Sequence, residues 1–254
     1  MRVLVTGGAG RIGRALREGL RGRCALRSLD VAPIEPVEGE EARAVDIRDL
    51  DALTAAAAGC DAIVHLAGIP READHETLLD VNLRGTYHAF EAAVRAGCGR
   101  VVFASTNHVT GFYPSETVVT PDVPVRPDSL YGASKAYGEA LGRLYHDRHG
   151  LAVAALRIGS FLPAPSLPRH AHTWISPRDM TELVWRCLVT PDLGWLIVYG
   201  GSANREAYWD DAAARRRIDY RPTDSADRLA GGEGDRYQGG PHVGATTSQE
   251  EYRQ

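Results

Sequence analysis

The chain has 254 residues, 44% of them hydrophobic and 24% charged, with 27 Gly, 14 Pro, 4 Cys and a formal net charge of -4. That apolar share excludes whole-chain disorder, and the length suits one α/β domain with a full core or two small ones. The scattered Cys24, Cys60, Cys98 and Cys187 suggest neither a disulfide scaffold nor a zinc site. The acidic balance gives no electrostatic reason for a nucleic-acid partner, and no apolar run approaches the ~20 residues of a membrane span. The N-terminus enters a strand-like run at once, without signal-peptide composition, so a cytoplasmic protein is expected.

Residues 2–6 (RVLVT) are a β-branched apolar run that predicts a buried parallel strand, and Ile12, Leu16 and Leu20 predict a helix over 11–21. Strands follow near 25–29 and 42–45, then a helix near 48–58, a strand at 62–66, a helix over about 76–96 and a strand at 100–105. After a loop marked by Pro114, Pro121, Pro124 and Pro127, a helix runs from about Ser129 to His149 and a strand covers 152–158. Residues 159–176 lack periodicity. Ser176-Pro177 has the character of an N-cap and first helical residue, opening a helix to about Val189. A last strand at 195–199 precedes polar segments, and from about 228 the Gly-rich, charged tail reads as a surface strap or a poorly ordered end. Strands alternating with helices predict a Rossmann-type α/β fold, a doubly wound parallel sheet forming a single domain over 1–254. Residues 159–190 and 200–254 are expected to add a small substrate-binding region and the C-terminal tail.

The first strand ends in Thr6-Gly7-Gly8-Ala9-Gly10-Arg11-Ile12-Gly13, which places Gly7, Gly10 and Gly13 in a G-x-x-G-x-x-G spacing between strand and helix. Glycines there let backbone turn tightly and approach a pyrophosphate seated on the helix N-terminus, so Gly7, Gly10, Arg11, Ile12 and Gly13 are candidate cofactor-binding residues. Asp30, at the end of the second strand, stands where an acid bonds the adenosine ribose hydroxyls and repels a 2′-phosphate, which favours NAD over NADP. Asp46 is placed to bond the adenine amino group, with Ile47 against the ring. Leu66, Ala67 and Gly68 end the fourth strand with small residues over which a dinucleotide can lie.

Lys135 is the one lysine among 29 basic residues, in a chain that otherwise uses arginine. It lies four residues after Tyr131 in Tyr131-Gly-Ala-Ser-Lys135, on the same helix face. A phenol with a pKa of about 10 is a poor base at neutral pH, but a neighbouring ammonium and a positive nicotinamide ring favour the phenolate. The pair therefore reads as a proton acceptor and its activating cation, with both residues also bonding the nicotinamide ribose.

With TGGAGRIG, the strand-end HLAG, Asn82 in NLRGT and YGASK in that order, the chain resembles the extended branch of the short-chain dehydrogenase/reductase superfamily, the NAD-dependent epimerase/dehydratase-like proteins. The later run FASTNH, GFYP, PDVPVRPDSLYGASK, LRIGS, HTW and YGGSAN is similar to the bacterial uronate dehydrogenases over nearly the whole chain. The resemblance implies Thr106 as the third catalytic residue, Asn82 as a cofactor-site residue, and Asn107 and His108 as contacts to sugar hydroxyls. It also implies Ser160 near the substrate carboxylate and Arg169 paired with it; a guanidinium fork matches a carboxylate bidentately. The expected activity is NAD-dependent oxidation of a sugar acid, a hexuronate, at its anomeric carbon, by a protein that associates as a homo-oligomer. Pro70, in HLAGIP, stands where the family pattern has a serine, a departure that bears on the choice between sugar epimers.

Two other readings are open. A nucleotide-sugar epimerase or dehydratase shares the superfamily, but a 4,6-dehydratase is expected to carry an Asp-Glu pair where Asn107-His108 stand. A redox-sensing regulator that binds NAD without catalysis tends to lose the Tyr/Lys pair kept here. His170-Ala-His172 has metal-like spacing without companion ligands, so no metal is expected. His65 reads as a satisfied core histidine, and Arg215-Arg216-Arg217 as a solvated helix face.

Overall fold

The computed structural model describes residues 1–232 and 235–240. In chain order it runs β1 (Arg2–Thr6), α1 (Arg11–Gly19), β2 (Ala25–Asp30), β3 (Glu40–Ala44), α2 (Leu50–Ala57) and β4 (Ala62–His65). Next come α3 (His75–Leu78), α4 (Gly85–Arg95), β5 (Arg100–Thr106), α5 (Leu130–His149) and β6 (Ala152–Ile158). The chain continues through β7 (Ser160–Phe161), α6 (His170–Thr173), β8 (Trp174–Ile175), α7 (Pro177–Val189), β9 (Trp195–Gly200) and α8 (Ala212–Arg217). The large sheet is parallel throughout, in the order β3-β2-β1-β4-β5-β6-β9. The strand order reverses beside β1, and this opens a crevice at the carboxyl ends of β1 and β4, where ligands bind in such sheets.

Period-two alternation divides the core. Val3 and Val5 of β1 face α1 and α7, packing with Leu16, Met180, Leu183 and Val184, whereas Leu4 faces the other layer with Leu53, Ala89, Phe90 and Phe103. Both faces are covered, which is why these strands read as continuous apolar runs. Each fully buried leucine or phenylalanine contributes on the order of 1.5–3 kcal/mol of transfer free energy. Helix α5 starts as its sequence predicts: Ser129 caps it by accepting from the Gly132 amide at 3.0 Å. Ser176 caps α7 in the same way, accepting from Asp179 N at 3.0 Å, with Pro177 following.

Three expectations need correction. The helix expected over 76–96 is divided: α3 passes through a π turn, Leu79–Arg84, into α4. The wide turn carries Asn82, whose amide bonds the backbone of Ile69 and the Ser134 hydroxyl. The aperiodic stretch 159–176 contains the parallel pair β7–β8 and the single turn α6, elements too short to show a period. The Arg215-Arg216-Arg217 run does lie on a helix, yet Arg217 reaches back to the carbonyls of Leu193 and Trp195 at 2.5 and 2.9 Å, tying α8 to the start of β9. It is a clamp rather than a wholly solvated face.

The polar segment after β9 folds over the proline-rich loop. Val119 bonds Tyr208 through the backbone at 3.0 Å, and Tyr199 stacks on Trp209 with ring centroids 4.7 Å apart. The tail expected from 228 is a strap where it is described: Tyr237 pairs with Pro114 and Gln238 is fully buried. Residues 233–234 and 241–254 of that expectation lie outside the described residues.

Candidate active site

The carboxyl ends of β1, β2, β4, β5 and β6 open into a cavity of about 730 Å³. Its floor at one end is the turn after β1. Gly7 has φ +75, and a Cβ there would lie 2.8 Å from Ala67 N; a Cβ on Gly13 would lie 2.2 Å from the Gly7 carbonyl oxygen. Only glycine allows this turn and this closeness of helix to strand. No side chain caps α1 at Gly10, so its leading N–H groups are left for an anion at the positive end of the helix. Gly7, Gly10, Arg11, Ile12 and Gly13 all line the cavity.

Asp30 lines the same wall and is held from two sides, accepting from the Ala9 and Ala32 amides at 3.0 Å each. Asp46 and Ile47 line the wall beyond it. Arg48 binds the Asp46 carboxylate through Nε and Nη2, which holds the acid below the usual carboxylate range and keeps it an acceptor. Leu66, Ala67 and Gly68 form the middle of the cavity, and Pro70 continues it. Asn82 does not line it. The amide bonds Ile69 N at 2.8 Å, Ile69 O at 3.1 Å and Ser134 Oγ at 3.0 Å, so Asn82 fixes the wall from behind. His65 is a satisfied core residue, 2.8 Å from Thr6 Oγ1, and burial followed by the Lys135 charge drives its pKa down to about 3.

Thr106, Tyr131 and Lys135 converge at the centre of the cavity. Thr106 ends β5, and its oxygen accepts from the His108 amide at 3.3 Å, which leaves the hydroxyl proton to be donated toward Tyr131. Tyr131 is set by the start of α5, where Glu72 accepts from the amides of Leu130 and Tyr131 at 3.1 and 3.0 Å. The Lys135 ammonium is buried one turn further along, 5.9 Å from the Tyr131 ring centroid and 5.1 Å from that of Phe103. Burial pulls it down to about 8. Burial also pushes the Tyr131 phenol up to about 12, and only the Thr106 hydrogen bond acts the other way. The expected lowering of the phenol therefore does not come from the protein alone, because desolvation outweighs the Thr106 hydrogen bond.

At the far end stand Asn107, His108, Ser160 and Arg169, all lining the cavity. His108 Nδ1 lies 2.8 Å from Asp128 Oδ2, and Ser129 donates to the other carboxylate oxygen at 2.8 Å. That hydrogen bond to a carboxyl oxygen favours the tautomer with its hydrogen on Nδ1, which leaves Nε2 as the acceptor nitrogen. Asn107 Nδ2 is buried with no hydrogen-bond partner among the described residues. The Ser160 hydroxyl lies 2.9 Å from that of Thr173 across the β7–β8 pair.

Sequence reasoning missed Asp128 and Glu72, both polar loop residues without a motif of their own, and His170, which also lines the cavity. His170 Nδ1 accepts from the amides of Ser166 and Leu167 at 2.9 and 3.1 Å, while His172 stacks on Tyr208 and bonds the Glu206 carbonyl. The two histidines are thus committed to separate partners. Among the described residues no three His, Cys, Asp or Glu side chains are grouped to hold a metal ion, and no helix is long and apolar enough to cross a membrane.

A nucleotide-binding crevice joined to a Thr/Tyr/Lys centre defines a dinucleotide-dependent enzyme class. The chain belongs to the NAD dependent epimerase/dehydratase family, whose profile matches residues 3–194. Uronate dehydrogenase of Pseudomonas syringae pv. tomato is 44% identical over 229 residues, which span 89% of this chain and 83% of that protein. L-arabinose 1-dehydrogenase (NAD(P)(+)) of Haloferax volcanii is 40% identical over 253 residues, spanning 89% of this chain and 97% of that one. A solved uronate dehydrogenase from Agrobacterium tumefaciens, a mutant complexed with NAD, superimposes with a TM-score of 0.91 at 39% identity, covering 97% of this chain and 98% of that one.

Proposed function

We propose that the protein oxidises a hexuronate, D-glucuronate or D-galacturonate, at its anomeric carbon with NAD and releases an aldaric lactone. The observation that carries this reading is the place of Arg169, a cationic fork lining the same cavity as Thr106, Tyr131 and Lys135. The names of the Pseudomonas and Agrobacterium relatives support the same substrate class. The Haloferax relative is named for a neutral sugar, and Pro70 brings no hydroxyl to the wall; a carboxylate partner for Arg169 is what separates the two readings.

The cavity suits the cofactor. Gly7, Gly10, Arg11, Ile12 and Gly13 would hold the pyrophosphate at the uncapped start of α1, Asp30 the adenosine ribose hydroxyls, and Asp46 with Ile47 the adenine. Leu66, Ala67 and Gly68 would support the middle, and Tyr131 with Lys135 the nicotinamide ribose. NAD, when bound, supplies the hydride acceptor and a positive charge.

Tyr131 takes the proton of the anomeric hydroxyl while Thr106 donates a hydrogen bond to the same oxygen. The C1–H bond breaks with its electron pair leaving as hydride, and C1–O becomes the lactone carbonyl, so NADH and one proton accompany the product. A phenol starting at about 12 needs help to accept a proton at neutral pH. The Lys135 ammonium would supply part of it, beside the positive charge that NAD would bring. Asn107 and His108 hold sugar hydroxyls, His108 in the tautomer that Asp128 selects, and Ser160 stands beside the carboxylate. Residues 159–170 form the substrate-binding region of a single domain; no described residue beyond 200 lines the cavity.

The same reading makes the protein a cytoplasmic homo-oligomer. Exposed Tyr87 of α4 and Tyr137 and Leu144 of α5 offer an apolar face for association, which size-exclusion chromatography tests. The function itself is tested by NMR of the products from D-glucuronate and NAD. One aldarolactone per NADH is expected, and C4 inversion of a nucleotide sugar without net NADH would overturn the assignment.

A further inference from the structure

The guanidinium of Arg169 is gripped by the C-terminal segment. Nη1 lies 3.2 Å from Asp235 Oδ2, and Nη2 donates to the Gln238 carbonyl at 2.8 Å. Arg169 lines the cavity, whereas no residue of 235–240 does, so both acceptors hold the guanidinium from outside it. A guanidinium carries five N–H donors. Two are used here, and the remaining three have no partner among the described residues.

The holding segment is itself anchored. Gln238 is fully buried; its Nε2 donates to the Thr117 carbonyl at 2.6 Å and its backbone N–H to the Tyr113 carbonyl at 3.0 Å. Gly239 N donates to the Gly111 carbonyl at 2.9 Å, and Ser115 N to the Arg236 carbonyl at 3.1 Å. The segment thus joins two walls of the site: the loop that follows Asn107 and His108, and the turn that carries Arg169. Free arginine side chains lose considerable rotamer entropy when a ligand orders them, and a side chain already held loses less.

We propose that Asp235 is a positioning residue that, with the Gln238 carbonyl, holds the Arg169 fork in the posture that receives the substrate carboxylate. This rests on the hexuronate reading and extends it: the C-terminal segment takes part in selecting acidic sugars. Asp235 also offsets part of the Arg169 charge, so recognition depends on directed hydrogen bonds to a planar carboxylate more than on attraction for any anion.

The test is steady-state kinetics of Asp235→Ala, Asp235→Asn and Gly240→Ala on D-glucuronate and on neutral D-glucose at saturating NAD. Asp235→Ala should raise KM for glucuronate about tenfold, leave kcat within about twofold and leave kcat/KM on glucose unchanged. Asp235→Asn keeps an oxygen that accepts from Nη1 and should stay within about threefold of the wild-type KM. A Cβ at Gly240 would lie 2.3 Å from Arg169 Nη1 and be strained at φ +71, so Gly240→Ala should reproduce the KM rise by displacing the fork or the segment that holds it. A fall in KM for Asp235→Ala would make Asp235 a competitor of the substrate, and equal losses on both sugars would make it a fold residue; either result overturns the inference alone. A wild-type protein that oxidises no uronate overturns the hexuronate reading, and the inference with it.

Discussion

Replacing Lys135 by methionine should stabilise the protein while abolishing its activity. Burial draws the ammonium to about 8 from its ordinary 10.5. At about 1.4 kcal/mol per pKa unit, that difference amounts to about 3 kcal/mol of folding free energy lost by keeping the charge inside. Between pH 8 and 10.5 the unfolded chain holds a proton that the folded chain has released. Wild-type stability therefore rises through that window, and the full cost is present below it. Methionine has a similar length and no charge, but it forfeits the attraction of the ammonium to the Phe103 ring 5.1 Å away. With about 0.5–2 kcal/mol assigned to that contact, the net gain at pH 7 should be about 1–2.5 kcal/mol. Urea unfolding of both proteins at pH 7 and pH 10, with NADH formation measured alongside, tests this. A Lys135→Met protein less stable than wild type at pH 7, or a difference that does not shrink at pH 10, would refute the reasoning.

Tyr131→Phe should reduce kcat on the order of 10²–10⁴-fold, and near-normal turnover would remove the tyrosine from the chemistry. Arg169→Ala should reduce kcat/KM on glucuronate by the equivalent of roughly 2–5 kcal/mol and change that on the neutral hexose little, because only the acid leaves a charge unpaired. Asp30→Ala should narrow the preference for NAD over NADP, as read from the ratio of the two kcat/KM values; an unchanged ratio would place the discriminating group elsewhere.

The nucleotide half of the site was legible because its chemistry is local in sequence. A strand, a glycine turn and a helix occupy the eighteen consecutive residues 2–19, and Asp30 follows at a spacing set by one βα unit. Lys135 stood out for a different reason, as the one ammonium of an arginine-rich chain, chemically distinct from a guanidinium. What could not be read was supplied by distance. Glu72 reaches Tyr131 from 59 positions earlier, and Asp235 reaches Arg169 from 66 positions later. Such pairs leave no periodic trace. Asn82 was legible as a motif position, but its sequence does not reveal that Ile69 and Ser134 bond its amide. The π turn at Leu79–Arg84 was hidden for a related reason: one wide turn hardly disturbs an apolar pattern that runs on through α4. The phenol of Tyr131 shows the opposite limit, for the helix spacing that places Lys135 beside it carries no information on how deeply both are buried.

The measurement that tests the account most directly is the initial rate of NADH formation by the purified protein on a panel of free sugars and nucleotide sugars. The panel comprises D-glucuronate, D-galacturonate, the neutral hexoses D-glucose and D-galactose, L-arabinose, and a UDP- or dTDP-hexose. Fast NADH formation is expected with one or both free uronates, slow formation with the neutral sugars and none with the nucleotide sugars. Activity confined to a nucleotide sugar, or a neutral sugar oxidised as efficiently as its uronate, would contradict it.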